Sequence, residues 1–345
     1  MNLEKIEKIL EDNNQPKFRL EQIRKAVFDD GISSFLEIST IPKDLRDLLD
    51  GKIGILSFYA EKVLLSKYGQ SMKALLRLSD GNSIETVFLS PRPKIWTACI
   101  SSQVGCSSGC EFCATGKNGF KRNLTAEEIS DQVLFWKQCF KNNKNKGIFS
   151  NIVYMGMGEP FLNWEEVKKS VEDLINPKLF NFGSRSISIS TVGVKGGIEK
   201  FLTEFPQVNL AISLHFADNE MRSKFMPANK AYGLENIKDD LRGYFKKSKR
   251  KVFVEYIIFE GLNDSLNDAK ELVKYLNSIG NTYLLHVNLI LYNDPLAGGF
   301  GEFKVSSKDK IKRFKDFLLQ NKINVTIRKS LGHDIQGACG QLAGK

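Results

Sequence analysis

The chain has 345 residues, 42% of them hydrophobic and 26% charged, with a formal net charge of +10 and a pI near 9.1. This balance suits a globular protein with room for one large core and a small accessory unit. It excludes low-complexity and membrane-spanning chains, because no apolar run reaches bilayer length, and its basic excess permits a polyanionic partner without demanding one.

The N-terminus reads as helical. Ile6, Ile9 and Leu10 recur at helical spacing among Glu4, Lys5, Glu7 and Lys8, so this stretch is an amphipathic helix rather than the apolar region of an export signal, and a cytoplasmic location is expected. Ile23, Ala26, Val27 and Phe28 repeat the pattern, and Pro42 opens a third segment with Leu45, Leu48 and Leu49. Residues 1–70 are therefore expected to form a small helical accessory domain. Ala74–Leu78 and Ser83–Leu89 are β-rich and joined by Ser79-Asp80-Gly81-Asn82, which predicts a hairpin; Pro91 and Pro93 then mark a linker, so 71–94 is hairpin and linker.

From Trp96 onward strands and helices alternate. Expected strands are Thr97–Ile100, Asn151–Met155, Ser186–Ser190, Val208–Leu214, Val252–Ile258 and Tyr283–Ile290. Between them lie helical patterns at Thr125–Phe140, opened by the capping box Thr125-Ala126-Glu127-Glu128, and at Trp164–Leu174, Leu234–Phe245 and Leu266–Ser278. Apolar strands alternating with helices predict an α/β fold: a parallel sheet curled into an incomplete (β/α)6 barrel, short of the eight units of a full one. This core is placed at 95–330. A last helix (Lys308–Leu319) and strand (Val325–Arg328) lead to a tail, 331–345. The basic run from Lys246 to Lys251 reads as a solvated helix end, favoured by the helix dipole.

Six cysteines occur, Cys99, Cys106, Cys110, Cys113, Cys139 and Cys339, and in a reducing compartment they are not a disulfide framework. Cys106, Cys110 and Cys113 are spaced by three and then two residues just after the first barrel strand. Thiolates are the usual ligands of Fe–S clusters, and three cysteines leave one iron of a cubic cluster free. A zinc site is the alternative, but structural zinc wants four ligands, and the nearest histidine, His215, lies several elements away. Gly193, Gly196 and Gly197 sit beside a helix start without the full dinucleotide fingerprint. His286 and His333 read as structural.

Cys106-x3-Cys110-x2-Cys113, with Phe112 before the third cysteine, resembles the signature of radical S-adenosylmethionine enzymes. Cys99-Ile100-Ser101-Ser102-Gln103-Val104-Gly105-Cys106, Met155-Gly156-Met157-Gly158-Glu159-Pro160, Ser188-Ile189-Ser190-Thr191-Val192-Gly193, Ser213-Leu214-His215 and Ala338-Cys339-Gly340-Gln341-Leu342 are similar to the RlmN-type dual-specificity RNA adenine methyltransferases. That resemblance implies a [4Fe–4S] cluster on Cys106, Cys110 and Cys113, and S-adenosylmethionine contacts from Gly158, Glu159, Ser190, Ser213, Leu214, His215 and Asn293. The glycines at 156 and 158 are expected to allow close backbone approach to that ligand.

It further implies methylation of C2 of adenosine 2503 in 23S rRNA and of adenosine 37 in tRNA, with flavodoxin or ferredoxin as electron donor. In the route it implies, Cys339 is methylated first, its methyl carbon becomes a radical and adds to the base, and Cys99 releases the product by forming a transient disulfide. The tail must then fold back over the barrel mouth. Glu85 is the implied proton acceptor. Without the resemblance, Cys99 and Cys339 would read as small buried hydrophobes and Glu85 as a solvent-facing carboxylate. Departures are Leu331 where relatives often carry arginine, Gln336 and Gly337 before Ala338, and a Lys/Asn-rich insertion at Lys141–Gly147. His286-Val287-Asn288-Leu289 also resembles the sister Cfr-like enzymes, which methylate C8, whereas Glu159-Pro160 and 338–344 favour the C2 enzymes. A zinc-stabilised RNA-binding module without catalysis is the rival of another class.

Overall fold

The computed structural model describes residues 1–142, 147–294 and 303–344; residues 143–146 of the Lys/Asn-rich insertion and Lys345 of the tail lie outside them. Among the described residues twelve strands follow in chain order: β1 (Phe58–Leu65), β2 (Ser71–Leu78), β3 (Ser83–Arg92), β4 (Ile95–Cys99), β5 (Gln103–Gly105), β6 (Phe120–Asn123), β7 (Ile148–Tyr154), β8 (Ile187–Thr191), β9 (Asn209–Ser213), β10 (Val252–Ile258), β11 (Leu285–Leu291) and β12 (Asn324–Arg328). Ten form one sheet in the order β1-β2-β3-β4-β7-β8-β9-β10-β11-β12. The steps from β1 to β4 are antiparallel. From β4 to β12 every step is parallel.

Six helices cover the parallel part on the outside, one after each strand but the last: Ala126–Asn142, Trp164–Ile175, Gly197–Glu204, Leu234–Lys247, Leu266–Ile279 and Lys308–Gln320. Their apolar stripes explain the packing. Leu234–Lys247, for example, buries Leu234, Ile237, Leu241, Tyr244 and Phe245. The incomplete barrel expected from alternation is thus observed, ending on a seventh parallel strand, β12, at the edge of the open sheet. The basic run ends the helix Leu234–Lys247 as expected, with Lys247 Nζ 2.8 Å from Glu199 on a neighbouring helix.

Three strands have no counterpart in the sequence reading, β1 and the short pair β5 and β6. β1 falls within residues expected to be helical, whose helices end at Lys52. Most of it is exposed, including Tyr59, Val63 and Leu65. As an edge strand it is specified by backbone pairing to β2 rather than by burial, so it carries no alternating apolar pattern to read.

Aromatic stacking fixes the hairpin to the barrel. The Phe88 ring of β3 lies between Trp96 (centroids 4.8 Å) and Trp136 (5.3 Å), with Phe149 edge-on at 4.8 Å. Trp136 Nε1 donates to Thr86 Oγ1 (3.0 Å), and that hydroxyl donates to the Cys99 carbonyl (2.8 Å), so the packing also sets the end of β4. Trp136→Ala should cost about 3–5 kcal/mol, read as a lower urea midpoint. No helix among the described residues is long and apolar enough to cross a membrane.

Candidate active site

The inner faces of the parallel strands, the loop after β5 and the tail surround a cavity of about 760 Å³. The loop carrying the three clustered cysteines starts from a tight β5–β6 ladder. Gly105 takes φ +76°, and a side chain there would collide with the Gly119 carbonyl at 1.8 Å. Cys106 N donates to Gly119 O (2.9 Å), and Glu111 N to Phe225 O (3.0 Å). Cys106, Cys110 and Cys113 all border the cavity. Burial raises the Cys106 thiol to about 11 and pushes Cys110 well above the ordinary range, with the neighbouring thiols adding to the shift. Bound iron would displace those protons.

The residues present fit such a group. Among the described residues no set of three or more His, Cys, Asp or Glu is arranged around a single metal ion, and no fourth ligand completes a zinc site beside the three thiols. Next to Cys110 lies the guanidinium of Arg222, 1% exposed and held by carbonyls rather than a carboxylate: Nε to Leu214 O (3.0 Å), Nη2 to Val192 O (2.7 Å) and Ser213 O (3.2 Å). Its amide partner is Asn229 Oδ1 at 2.5 Å. A cluster bound by three thiolates would supply the negative charge this buried cation lacks.

The residues expected at S-adenosylmethionine come from strand ends around the same cavity. Gly158, Glu159, Ser190, Ser213, His215 and Asn293 border it; Leu214 does not, its side chain lying in the core. Ser190 and Ser213 share a hydrogen bond of 2.9 Å across β8 and β9. Glu159 is buried, and its carboxylate accepts from Phe161 N (3.0 Å) and Val192 N (2.9 Å); burial outweighs these bonds and lifts its pKa to about 7. His215 holds a left-handed backbone, φ +58°, and burial drops its pKa to about 3. Its Nδ1 accepts from Ile257 N (3.2 Å), which assigns the ring proton to Nε2.

Gly156 and Gly158 carry a second constraint. A side chain at Gly156 would strike Ile100 O and Ser101 Oγ, each at 2.7 Å, and one at Gly158 would strike Gln103 at 2.6 Å. The chain after β4 thus requires glycine at both positions, and both border the cavity.

The tail folds back as the cysteine pair demands. Ala114 N donates to Gly340 O (2.9 Å), Thr115 Oγ1 to Leu342 O (2.6 Å) and Asn118 Nδ2 to Ala343 O (2.7 Å). Upstream, Asp334 accepts from Ser66 Oγ (2.9 Å) and Lys67 N (3.0 Å). Cys339 opens onto the cavity, Cys99 is buried at its wall, and both thiols are free. Burial raises both, Cys99 to about 12 with the charge of Cys339 contributing, while the Arg328 guanidinium pulls each the other way. Arg328 is fixed by Glu255 (3.1 Å), whose other oxygen accepts from Asn288 Nδ2 (2.8 Å). Sequence reasoning missed this trio, although a carboxylate inside the apolar strand Val252–Ile258 signals a buried partner.

Glu85 is not solvent-facing. It is 1% exposed, paired to Lys73 Nζ at 2.8 Å, and its second oxygen accepts from Ala343 N (2.7 Å) and Gly344 N (3.2 Å). It stands outside the residues that border the cavity and grips the tail. Glu85→Gln should therefore speed hydrogen exchange at the Ala343 and Gly344 amides, measured by mass spectrometry, while the amides of β2 and β3 stay protected.

Comparison with known proteins agrees with this geometry. Residues 100–276 match the family model described as Radical SAM superfamily. A ribosomal RNA large subunit methyltransferase Cfr from Bacillus velezensis is 42% identical over 345 residues, covering 99% of this chain and 95% of that protein. A dual-specificity RNA methyltransferase RlmN from Nautilia profundicola is 39% identical over 350 residues, covering 98% and 96%. The crystal structure of a radical SAM methyltransferase from Sphaerobacter thermophilus superimposes with a TM-score of 0.90 at 36% identity, covering 100% of this chain and 98% of the other. The chain belongs to the radical SAM superfamily and, within it, to the family of the Cfr and RlmN methyltransferases.

Proposed function

We propose that this enzyme methylates a ring carbon of an adenosine in large-subunit ribosomal RNA, using a [4Fe–4S] cluster on Cys106, Cys110 and Cys113 together with S-adenosylmethionine. The observation that carries the reading is the folded-back tail, which puts Cys339 on the same cavity as Cys99 and the three clustered cysteines. When bound, the cluster and S-adenosylmethionine supply the one-electron chemistry that an unreactive aromatic carbon requires.

The chain's own residues do the rest. Cys339, as its thiolate, takes a methyl group from S-adenosylmethionine: an S–CH₃ bond forms, the sulfonium C–S bond breaks and S-adenosylhomocysteine leaves. Once that carbon is joined to the base, Cys99 attacks the Cys339 sulfur. The disulfide forms, the bond from sulfur to the bridging carbon breaks, and that carbon takes a proton to become methyl. A cellular reductant restores the two thiols. The Asn288–Glu255–Arg328 chain holds a cation beside both sulfurs. Glu85 serves by holding the tail, and we keep it as the implied proton acceptor. A flavodoxin or ferredoxin donor and a cytoplasmic location belong to the same proposal.

We place the methyl at C2, on Glu159-Pro160 and the 338–344 segment, and include tRNA because a relative of this length is named dual-specificity. A second reading, C8, is favoured by the 42% identity to a Cfr-named relative. Nucleoside mass spectrometry of rRNA and tRNA from cells with and without this protein decides. Loss of 2-methyladenosine from both RNAs supports the C2 reading, 8-methyladenosine replaces it by the second, and unchanged RNA rejects both.

A further inference from the structure

The cavity does not stop at the cysteines. It continues along the inner faces of β10, β11 and β12 to the opposite, N-terminal end of the strands, where Lys251, Phe253, His286 and Thr326 border it. The register orders these side chains in layers: Phe253 lies beside His286, Glu255 beside Asn288 and Thr326, and Ile257 beside Ile290 and Arg328. Across the lumen, the end of β3, paired with the start of β4, contributes Arg92. Cluster and cofactor residues thus gather where the parallel strands end, with Cys99 at the last position of β4, and an aromatic pair with two cations lies where the strands begin.

The two ends differ in what lines them. At the cluster end the Phe112 ring lies 5.2 Å from Phe259 and 6.0 Å from Phe303, and the tail is bonded across Ala114 and Thr115. The far end is basic. Arg92 and Lys251 are exposed, and among the described residues neither is paired with a carboxylate. Glu255, the acid within strand β10, is already engaged by Arg328 and Asn288. Phe253 and His286 stand edge to face with centroids 5.8 Å apart, and His286 Nε2 is fixed to Thr326 Oγ1 at 2.8 Å. Burial lowers the His286 pKa, which favours the uncharged ring.

Aromatic faces beside unpaired cations suit a nucleotide: the base stacks and the flanking phosphates bind the cations. A base leaving its own stack needs such a replacement surface on its way to a buried reaction centre. We propose that the N-terminal mouth of the barrel is the RNA port, with Phe253 and His286 flanking the entering base and Arg92 and Lys251 holding the phosphates on either side. This rests on the RNA methyltransferase reading. It also gives Lys251, the last residue of the basic run, and His286 a role that the sequence left as structural.

The test uses the full chain with its cluster and a fluorescent RNA stem-loop carrying one unpaired loop adenosine, bound at several salt concentrations. The Arg92→Glu/Lys251→Glu double variant should bind at least about tenfold more weakly and with a salt slope smaller by about two. Lys308→Glu/Lys312→Glu, on the outer helix Lys308–Gln320, should bind within about twofold of the parent protein, since it reverses equal charge away from the port. Phe253→Ala should weaken binding about fivefold or more, the range of one lost stacking partner, with iron content unchanged. Parent-like affinity and slope in the mouth variant overturn the port, as does equal weakening by the two charge reversals. If the parent protein itself fails to bind RNA, the proposed function falls instead, which separates the two claims.

Discussion

Cys99→Ala protein incubated with RNA and S-adenosylmethionine should accumulate a covalent RNA–protein complex joined at Cys339, with methylated product falling to background. Cys99 is the buried thiol at the cavity wall, and Cys339 opens onto the same space. Without the attacking sulfur, nothing breaks the bond from Cys339 to the bridging carbon. The substitution removes only one sulfur from a small buried site, so the fold should survive. Denaturing gel electrophoresis followed by peptide mapping reads the outcome. Cys339→Ala should give neither complex nor product. Normal turnover by either variant removes the proposed route.

Cys110→Ala should abolish activity through the cluster. Its thiol borders the cavity together with Cys106 and Cys113, and the charge of both helps raise it. Loss of one of three ligands leaves a cubic cluster held at two corners only. Anaerobically reconstituted parent protein should hold about four irons per chain, and the variant far fewer, by iron analysis and by loss of the Fe–S absorption. Far-ultraviolet circular dichroism should stay the same, because the loop is fixed mainly by backbone bonds from Cys106 to Gly119 and from Glu111 to Phe225. Full iron in the variant would move the cluster elsewhere. Stoichiometric zinc in the parent would favour the non-catalytic rival.

What could be read in advance follows from which residues carry local signals. Val252–Ile258 was legible because it is buried on both faces and therefore apolar throughout, apart from Glu255. The helix from Ala126 was legible because Thr125 and Glu128 cap it reciprocally: Glu128 N donates to Thr125 Oγ1 (3.2 Å) and Thr125 N to Glu128 Oε2 (3.0 Å). β1 was not, because an edge strand needs no buried face. The buried state of Glu85 was not, because its partners, Lys73 and the amides of Ala343 and Gly344, come from a neighbouring strand and from the far end of the chain. Single-residue alternation on β3 says nothing about a tail folded over it.

In the site, the cysteine spacing and the strand-end motifs located the cavity. The packing demand on Gly156 and Gly158 could not be read in advance, because contact with the chain after β4 and contact with a ligand leave the same mark in a sequence. Arg222 escaped notice because a basic side chain reads as surface until the fold buries it, and Arg328 because its partner Glu255 comes from another strand.

The central claim is that Cys339 carries the methyl group before RNA does, and the mass of the tail peptide tests it most directly. Protein with an intact cluster is incubated with S-adenosylmethionine in the absence of RNA, digested, and the peptide containing Cys339 is weighed and fragmented. The account predicts that this peptide gains one methyl group in place of the thiol hydrogen, located on the Cys339 sulfur, and that adding RNA then discharges it. A Cys339 that stays unmodified in protein that nonetheless methylates RNA would contradict it.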